Sequence, residues 1–321
     1  MDWQPKTSNK TRSLRAHLLR EVRNYFYQQK VLEVETPALS QAGNTDPFIE
    51  SFQLNQKGSN NNLKRYLHTS PEYPMKRLLA ADSVDIYQIC KVWREGEFGN
   101  NHNPEFTLLE WYRLGFSYQQ LIKEVSQLLH KVLPSLKKAD QVFTYEALFL
   151  EKFGLNPHIA SKQELIDCAQ TNIKNLSLDN LDRQALLDAL LTHCIEPDFK
   201  SDCLTFVTDY PATQSALARI RKGEKYSVAE RFEVYLGKIE LGNGYQEETD
   251  YQRNTDILNN ENTAREKNLL ERITVDKYFL EATKHNIPYC AGVAIGIDRV
   301  LMCLCEVNSI QKVINFPWDV A

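Results

Sequence analysis

The sequence predicts an α+β fold, in which helices and antiparallel strands occur in one chain. Alternating residues at 86–94 and 105–113 flank a polar loop, which predicts two antiparallel strands joined by that loop. Residues 231–250 predict a second antiparallel hairpin, and apolar side chains recur at helical spacing within 10–30. These three segments support the α+β prediction.

Composition limits the classes of function. The chain has 321 residues, 42% of them hydrophobic, which is enough for a substantial core in one large domain or two ordinary ones. A net charge of −4 disfavours the broad cationic surface that binds polynucleotides. We find neither a secretory signal nor an apolar stretch of about 18 residues, so we expect a cytoplasmic protein with no membrane partner. The seven cysteines lack a CxxC pair, which favours free thiols over disulfides or a zinc site.

The N-terminal segment predicts short alternating elements. The helix at 10–30 leads into a β-rich segment interrupted by Pro37, which belongs at a sheet edge or an interface because proline cannot donate to a ladder. A dimer contact and an ordinary edge strand are both open for this segment. A strand at 47–55, a loop at Asn60 to Asn62 and a short helix after Ser70 follow.

The hairpin at 86–113 contains the first candidate site. Alternate residues of its second strand share one face, and these are Phe106, Leu108, Glu110 and Tyr112. A core strand does not carry a carboxylate without a partner, so this face is expected to line a cleft. Arg94, at the end of the first strand, is a candidate for the same cleft. A structural ion pair at the strand end is the alternative.

The region between the two hairpins predicts no chemistry. Leucines at three- and four-residue spacing predict a mostly helical segment at 117–200, with a polar break at 174–182. His130, His158 and His193 lack metal-ligand spacing. A strand at 203–211 returns the chain to the sheet.

The hairpin at 231–250 predicts a cation site. If Gly237 and Lys238 form the turn, residue 235 pairs with 240 and residue 233 with 242, which places Glu233 and Glu240 on one face. Two like charges so close require a cation, and oxygen ligands favour Mg²⁺ shared with nucleotide phosphates. A solvated acidic hairpin is the alternative.

A bulge in the same hairpin would add further residues to the cleft. Asn243, Tyr245 and Glu247 alternate along one face, and a bulge at Gly242 or Gly244 could turn that face toward Glu240. Glu247 would then suit an ammonium group of a substrate.

The segment GVAIGIDR at 292–299 has the alternation of a strand. Gly292, Ala294 and Gly296 leave space on one face, as expected where a ligand approaches the backbone. Asp298 and Arg299 would open the next helix, and the guanidinium of Arg299 would suit a planar ring. A packing contact between strand and helix is the alternative.

Three of these segments resemble, in order, the motifs of class II aminoacyl-tRNA synthetases. They are the helix and proline-bearing segment at 10–39, the pair at 94–106 that ends in NPEF, and GVAIGIDR. HTSPEY, HNPEFTLLEWY and RFEVYLGKIELGNGYQE are similar to the lysine branch of that class. The resemblance covers nearly the whole chain and implies a class II catalytic core, a mainly antiparallel sheet flanked by helices, usually in a homodimer.

The resemblance narrows further to the elongation factor P ligases. Motif 1 begins almost at once and the chain ends soon after motif 3, so we expect one catalytic domain over 1–321, with a helical insertion around 117–200 and no anticodon-binding domain. Free-standing lysine-type cores of this kind activate (R)-β-lysine with ATP and join it to the ε-amino group of a lysine on translation elongation factor P. The implied activity is an AMP-forming ligase that uses ATP, Mg²⁺ and (R)-β-lysine or lysine, with no tRNA partner.

The resemblance also assigns roles to residues. Those implied in catalysis are Arg94, Glu240 and Arg299. Those implied in ATP binding are Arg94, Glu95, Gly96, His102, Asn103, Phe106, Glu240, Leu241, Gly296 and Arg299. Those implied in the amino-acid pocket are Ser70, Pro71, Glu72, Glu110, Tyr112, Asn243, Tyr245, Glu247 and Ala294. Glu233 and Glu240 would hold Mg²⁺, and Glu247 would receive the side-chain ammonium.

Two positions distinguish the chain within the resemblance. The motif 2 sequence here is Arg94-Glu95-Gly96-Glu97, where the class often has glutamate third, so the adenine contact would pass to the main chain near Gly96, to Glu95 or to Glu97. Ala294 stands where lysyl-tRNA synthetases usually have glycine, a feature it shares with the elongation factor P ligases.

Two other functions stay open at this stage. A truncated lysyl-tRNA synthetase-like enzyme could act on tRNA or a small acceptor. A non-catalytic paralogue could bind an amino acid without activating it, although the presence of Arg94, Phe106, Glu240 and Arg299 disfavours that reading.

Overall fold

The computed structural model describes residues 3–56, 63–174 and 181–321. The predicted loop at Asn60 to Asn62 and most of the predicted break at 174–182 lie outside these residues. The described helices are α1 Asn9–Gln28, α2 Glu72–Asp82, α3 Tyr118–Val132, α4 Tyr145–Phe153, α5 Lys162–Asn172, α6 Arg183–Leu190, α7 Tyr251–Lys267, α8 Lys277–Lys284 and α9 Ile297–Leu304. The described strands are β1 Leu32–Glu33, β2 Leu39–Ser40, β3 Gln53–Gln56, β4 Leu63–Leu67, β5 Ile86–Trp93, β6 Glu105–Leu114, β7 Gln141–Thr144, β8 Leu204–Pro211, β9 Ile220–Lys222, β10 Ser227–Leu236, β11 Ile239–Gln246 and β12 Cys290–Gly296.

Nine of the described strands form one mostly antiparallel sheet. Their order is β1-β5-β6-β12-β11-β10-β8-β7, with β9 paired to β10. The pairs β1–β5 and β7–β8 are parallel, and the others are antiparallel. The strand predicted at GVAIGIDR is β12, which lies between β6 and β11. The mainly antiparallel sheet flanked by helices is therefore confirmed.

Helices cover the sheet through separate apolar clusters. Phe26 of α1, Leu129 of α3 and Leu301 of α9 pack in the same cluster as Trp111 of β6. The helices α2 and α8 belong to another cluster, and α4 to α6 pack with β8 and β10 in a third. Every helix of the described residues is too short or too polar to span a bilayer.

The N-terminal helix is confirmed by its capping and burial. Oγ of Ser8 accepts a hydrogen bond from the Thr11 N–H at 3.1 Å, which satisfies one of the free donors of the first turn. Leu18, Val22 and Phe26 are buried along one face. The short β1 that follows lies at the end of the sheet order, as the position of Pro37 predicted.

One secondary-structure prediction is wrong in part, and another is confirmed but lacked a strand. The strand predicted at 47–55 is only β3, because residues before it turn: the Asp46 carboxylate accepts from the Phe48 N–H at 2.8 Å. The region 117–200 contains β7, which pairs in parallel with β8. With four residues, β7 is too short to show strand alternation among helical patterns.

The predicted register of the β10–β11 hairpin is right at the turn and wrong beyond it. Tyr235 pairs with Glu240 as predicted, but Glu233 pairs with Asn243 rather than with residue 242. Leu241 is the additional residue of a β-bulge, one position before the predicted place. The bulge brings Asn243 and the alternate residues after it onto the face of Glu240.

Candidate active site

A cavity of about 390 Å³ lies over the central strands of the sheet. The predicted face of β6 lines it through Phe106, Leu108, Glu110 and Tyr112. Ala294 of β12 lies in its floor, where it pairs with Glu110 on one side and Asn243 on the other. Strand alternation and sheet order therefore bring residues far apart in sequence to one cavity.

Most of the predicted site residues line this cavity. They are Ser70, Glu72, Arg94, His102, Asn103, Phe106, Glu110, Tyr112, Glu233, Glu240, Leu241, Asn243, Tyr245, Glu247, Ala294, Gly296 and Arg299. Pro71, Glu95 and Gly96 are not among its described lining residues. The Glu95 N–H instead donates to the carbonyl of Glu50 at 2.9 Å, and Gly96 has a φ of 81°, which glycine adopts without strain.

One end of the cavity, the arginine end, is defined by Arg94 and Arg299. Nη1 of Arg299 donates to the Glu240 carboxylate at 3.0 Å, and Nη2 contacts Nε2 of His102 at 2.8 Å. Because a guanidinium only donates, Nε2 accepts and the imidazole carries its proton on Nδ1. Burial, followed by the charge of Arg299, lowers the pKa of His102, so this ring is neutral at pH 7.

Glu240 is ionised at the arginine end. Burial alone would raise its pKa, but the charge and hydrogen bonds of Arg299, with Arg231 and Arg94 beyond, outweigh burial and lower the pKa. Its side chain is 39% exposed and remains accessible from the cavity. A carboxylate and several guanidinium groups thus share a partly wet site.

Arg94 is held between the main chain and an aromatic ring. Its guanidinium carbon lies 5.1 Å from the centroid of Phe106, a cation–π contact. Nε donates to the carbonyl of Thr69 at 3.4 Å, and Nη1 contacts the Glu97 carboxylate at 3.3 Å. These contacts are individually weak, which leaves the guanidinium available to a phosphate.

Glu233 and Glu240 fit a hard cation that is shared with phosphates. The Glu233 carboxylate accepts from Arg231 at 2.5 Å, from Tyr210 at 2.7 Å and from Tyr235. A carboxylate has about four lone-pair sites, so one remains for a metal. The described residues contain no group of three or more His, Cys, Asp or Glu that could hold a metal. The two carboxylates of Glu233 and Glu240 suit Mg²⁺, which usually takes one or two carboxylates plus substrate phosphates.

The opposite end, the glutamate end, is defined by Glu72, Glu110 and Glu247. Lys76, one turn after Glu72 on α2, is fully buried with its Nζ 2.6 Å from Glu72 and 2.6 Å from Glu247. Burial alone would lower the pKa of Lys76, but Glu247 and Glu72 outweigh it and the pKa is raised. Burial raises the pKa of Glu247 to about 7 against the opposing charge of Lys76, so Lys76 is the ammonium partner of a carboxyl group that titrates near neutral pH.

Glu110 differs from the other two carboxylates. Burial, followed by the negative charge of Glu72, raises the pKa of Glu110 to about 8, and Tyr112 donates to its carboxyl at 2.7 Å. At pH 7 Glu110 is therefore mostly protonated. The glutamate end thus holds three carboxyl groups and the single ammonium of Lys76.

The glycine face of β12 borders both ends. A Cβ at Gly292 would lie 2.4 Å from a ring carbon of Tyr112 and 2.5 Å from the Glu247 carboxylate. A Cβ at Gly296 would meet nothing closer than 3.8 Å. The glutamate end therefore requires glycine at 292, whereas a methyl group at 296 would make only ordinary contacts.

Several charged residues of the site were not found from the sequence, among them Lys76, Arg231 and Glu261. Lys76 had a local signal, since it follows Glu72 at the i,i+4 spacing of a helix. Arg231 alternates with Glu233 on β10 and could have been placed on the same face. Glu261 lines the cavity from α7 and accepts from Thr45 at 2.5 Å, a contact for which no local pattern exists.

Comparison with known proteins gives one consistent result. Residues 1–320 match the family model of the class II tRNA synthetases for D, K and N. The chain is 41% identical over 323 aligned positions to the elongation factor P–(R)-β-lysine ligase of Buchnera aphidicola subsp. Schizaphis graminum, with 99% of this chain and 98% of that protein covered. Proteins of the same name from Pectobacterium carotovorum subsp. carotovorum and Mannheimia succiniciproducens are each 40% identical, with 98% of this chain and 97% of each protein covered.

Proposed function

The chain belongs to the class II tRNA synthetases for aspartate, lysine and asparagine and, within them, to the family of the elongation factor P–(R)-β-lysine ligases, and from this we propose that it joins (R)-β-lysine or lysine to translation elongation factor P. ATP activates the amino acid as an adenylate, and an ε-amino group of the acceptor protein then receives it. The observation that carries the proposal is one cavity with a cationic end and an anionic end.

In the activation step, the arginine end would bind ATP. A carboxylate oxygen of the amino acid attacks the α-phosphorus, the bond to the β-phosphate oxygen breaks, and pyrophosphate leaves. Arg94 would bind the α-phosphate and stabilise the charge that develops there. Phe106 and Arg299 would enclose the adenine ring. Mg²⁺, held by Glu233 and Glu240, would neutralise charge on the departing phosphates.

The glutamate end would bind the two ammonium groups of the amino acid. Its three carboxyl groups outnumber its one ammonium, which suits a ligand that brings two ammonium groups. Glu247 would receive the side-chain ammonium and Glu72 the second amino group, and Lys76 would remain their common partner. The rest of this pocket would be lined by Ser70, Glu110, Tyr112, Asn243, Tyr245 and Ala294.

Transfer needs no nucleophilic side chain from this protein. The ammonium of the acceptor lysine loses one proton to solvent, and its nitrogen then attacks the carbonyl carbon of the adenylate. The bond from that carbon to the phosphate oxygen breaks, AMP leaves with the electron pair, and the second proton passes to solvent. Holding the amine and the anhydride in place supplies much of the rate, since oriented reactants have high effective concentrations.

The proposal extends to how the protein works in the cell. Residues 1–321, with the mostly helical region 117–200 inserted, would act as one catalytic domain of a cytoplasmic homodimer that does not use tRNA. The free thiols of the described cysteines support a reducing compartment. Tyr27, Leu32 and Leu39 are exposed apolar residues of the N-terminal elements, which supports a contact between two copies there.

Two measurements test this function. Pyrophosphate exchange into ATP should depend on (R)-β-lysine or lysine, and the intact mass of elongation factor P should rise by one lysine residue after incubation with ATP. Absence of exchange would identify a binding paralogue. A charged tRNA with elongation factor P left unmodified would identify a truncated synthetase instead.

A further inference from the structure

A second cavity, of about 740 Å³, adjoins the first, and most of its lining residues have no role in the activation step described above. It lies between the segment 37–44, the start of α2 and residues 274–278. Its volume falls in the range of about 300–1,000 Å³ that is typical of sites for bound molecules. Its lining residues indicate which molecule would enter it.

The two cavities meet at a chemically defined place. The residues that line both are Asn44, Thr69, Ser70, Glu72 and Tyr73. On one side of this junction, Arg94 donates to the carbonyl of Thr69. On the other side, Glu72 is paired with Lys76. The junction therefore lies between the arginine end and the glutamate end.

The position of the second cavity indicates which reactant could reach the adenylate through it. If the proposed function holds, on which this inference rests, the carbonyl of the adenylate lies between a phosphate at Arg94 and an amino acid at Glu72. AMP and the amino acid fill the first cavity, so the acceptor amine needs another approach. We propose that the second cavity is the channel through which a lysine side chain of the acceptor protein reaches the adenylate.

The walls of the second cavity suit a lysine side chain. Ala42, Pro74 and Val275 offer apolar surface for a methylene stem. Glu72, at the inner end, attracts an ammonium head and is 20% exposed at its side chain. Asp276 adds a second carboxylate to the lining.

The outer rim of the cavity has the composition of a protein-binding surface. Arg77 and Lys277 are exposed cations, and Tyr278 is 60% exposed. The guanidinium carbon of Arg77 lies 5.1 Å from the Tyr278 ring centroid. Arginine and tyrosine are enriched in protein interfaces. The partner that fits this rim is a protein loop whose lysine is flanked by carboxylates.

Charge reversal at the rim separates the two half-reactions. In the full-length Arg77→Glu/Lys277→Glu variant, pyrophosphate exchange with (R)-β-lysine should stay within about twofold of wild type, since the first cavity is untouched. KM for elongation factor P should rise by about tenfold or more, because opposed charges at an interface become like charges. Aminolysis of the adenylate by hydroxylamine, which is small and uncharged, should be unaffected.

A matched variant makes the result specific. Lys123→Glu/Lys162→Glu changes the net charge equally on α3 and α5, which line neither cavity, and should leave KM for elongation factor P unchanged. The channel is refuted if the rim variant modifies elongation factor P with unchanged KM, if it loses exchange, or if the matched variant loses as much. A wild-type protein that exchanges pyrophosphate but leaves elongation factor P unmodified would instead refute the proposed function.

Discussion

The arginine end and the glutamate end of the cavity differ in how exposed their charged groups are and in how close together these groups lie. At the arginine end, Arg94, Arg299 and Glu240 are partly exposed, and their ion pairs are 3.0 Å or longer. At the glutamate end, Lys76 and Glu247 are fully buried and 2.6 Å apart. Water screens the first set and not the second. From this difference we expect the wet end to exchange a highly charged ligand and the dry end to require a partner for each charge.

Removing Lys76 is the largest test of this difference. Lys76→Met would leave the buried Glu247 and the partly exposed Glu72 without their common partner, and breaking a buried pair costs about 3–5 kcal/mol. We expect that loss in the free energy of unfolding, measured with urea. Lys152→Met breaks an exposed pair with Asp198 and should change stability little. Equal losses in the two variants would show that the glutamate end is not dry.

Substitutions at the two glycines of β12, Gly292 and Gly296, test the packing of the two ends directly. Gly292→Ala puts a methyl group against Tyr112 and Glu247, and overpacking costs about 1–3 kcal/mol. We expect lysine affinity to fall about 10- to 100-fold, since each 1.4 kcal/mol is about tenfold. Gly296→Ala meets only ordinary contacts and should leave lysine affinity unchanged. Calorimetric titration with lysine measures both, and a reversed order would contradict the assignment of the ends.

Glu110 predicts a pH dependence confined to the glutamate end. Its folded pKa of about 8 lies above the usual 4.5, so from pH 4.5 to 8 the folded state keeps a proton that the unfolded state has lost. This carboxyl therefore destabilises the protein progressively as pH rises through that window, by at most about 1.4 kcal/mol per pH unit. Glu110→Gln should gain stability relative to wild type between pH 5.5 and 7.5 in urea unfolding. A difference that does not change with pH would mean that Glu110 is ionised.

Ala294 predicts the smallest effect, on selectivity. Its methyl group lies between Glu110 and Asn243 in the floor of the pocket. Ala294→Gly would enlarge the pocket by that methyl, which is worth roughly 1 kcal/mol in discrimination. We expect the ratio of kcat/KM for α-lysine over (R)-β-lysine to rise several-fold. An unchanged ratio would remove Ala294 from the selectivity of the pocket.

Most of the predicted site residues were identified from strand alternation. The face of β6 and the strand and helix around Gly292 to Arg299 follow from periodicity two, and the structure places them on one cavity. The β10–β11 hairpin shows where this reasoning fails. A bulge shifts every later side chain to the other face, and the sequence suggested Gly242 or Gly244 for its position, whereas the extra residue is Leu241. Only the ladder between the strands selects Leu241.

The sequence alone determined the elements and the chemical types that meet in the site, because helix and strand periodicity are local properties of the chain. The tertiary structure alone decided how the charges are shared. The sequence pairs Lys76 only with Glu72, one helical turn away, whereas burial of α2 in one cluster with β6 and β12 makes Lys76 the partner of Glu247 as well. The second cavity likewise has no local pattern, since segments around 40, 70 and 276 form it together. Desolvation and the space between elements depend on all neighbours at once, and those neighbours are far apart in sequence.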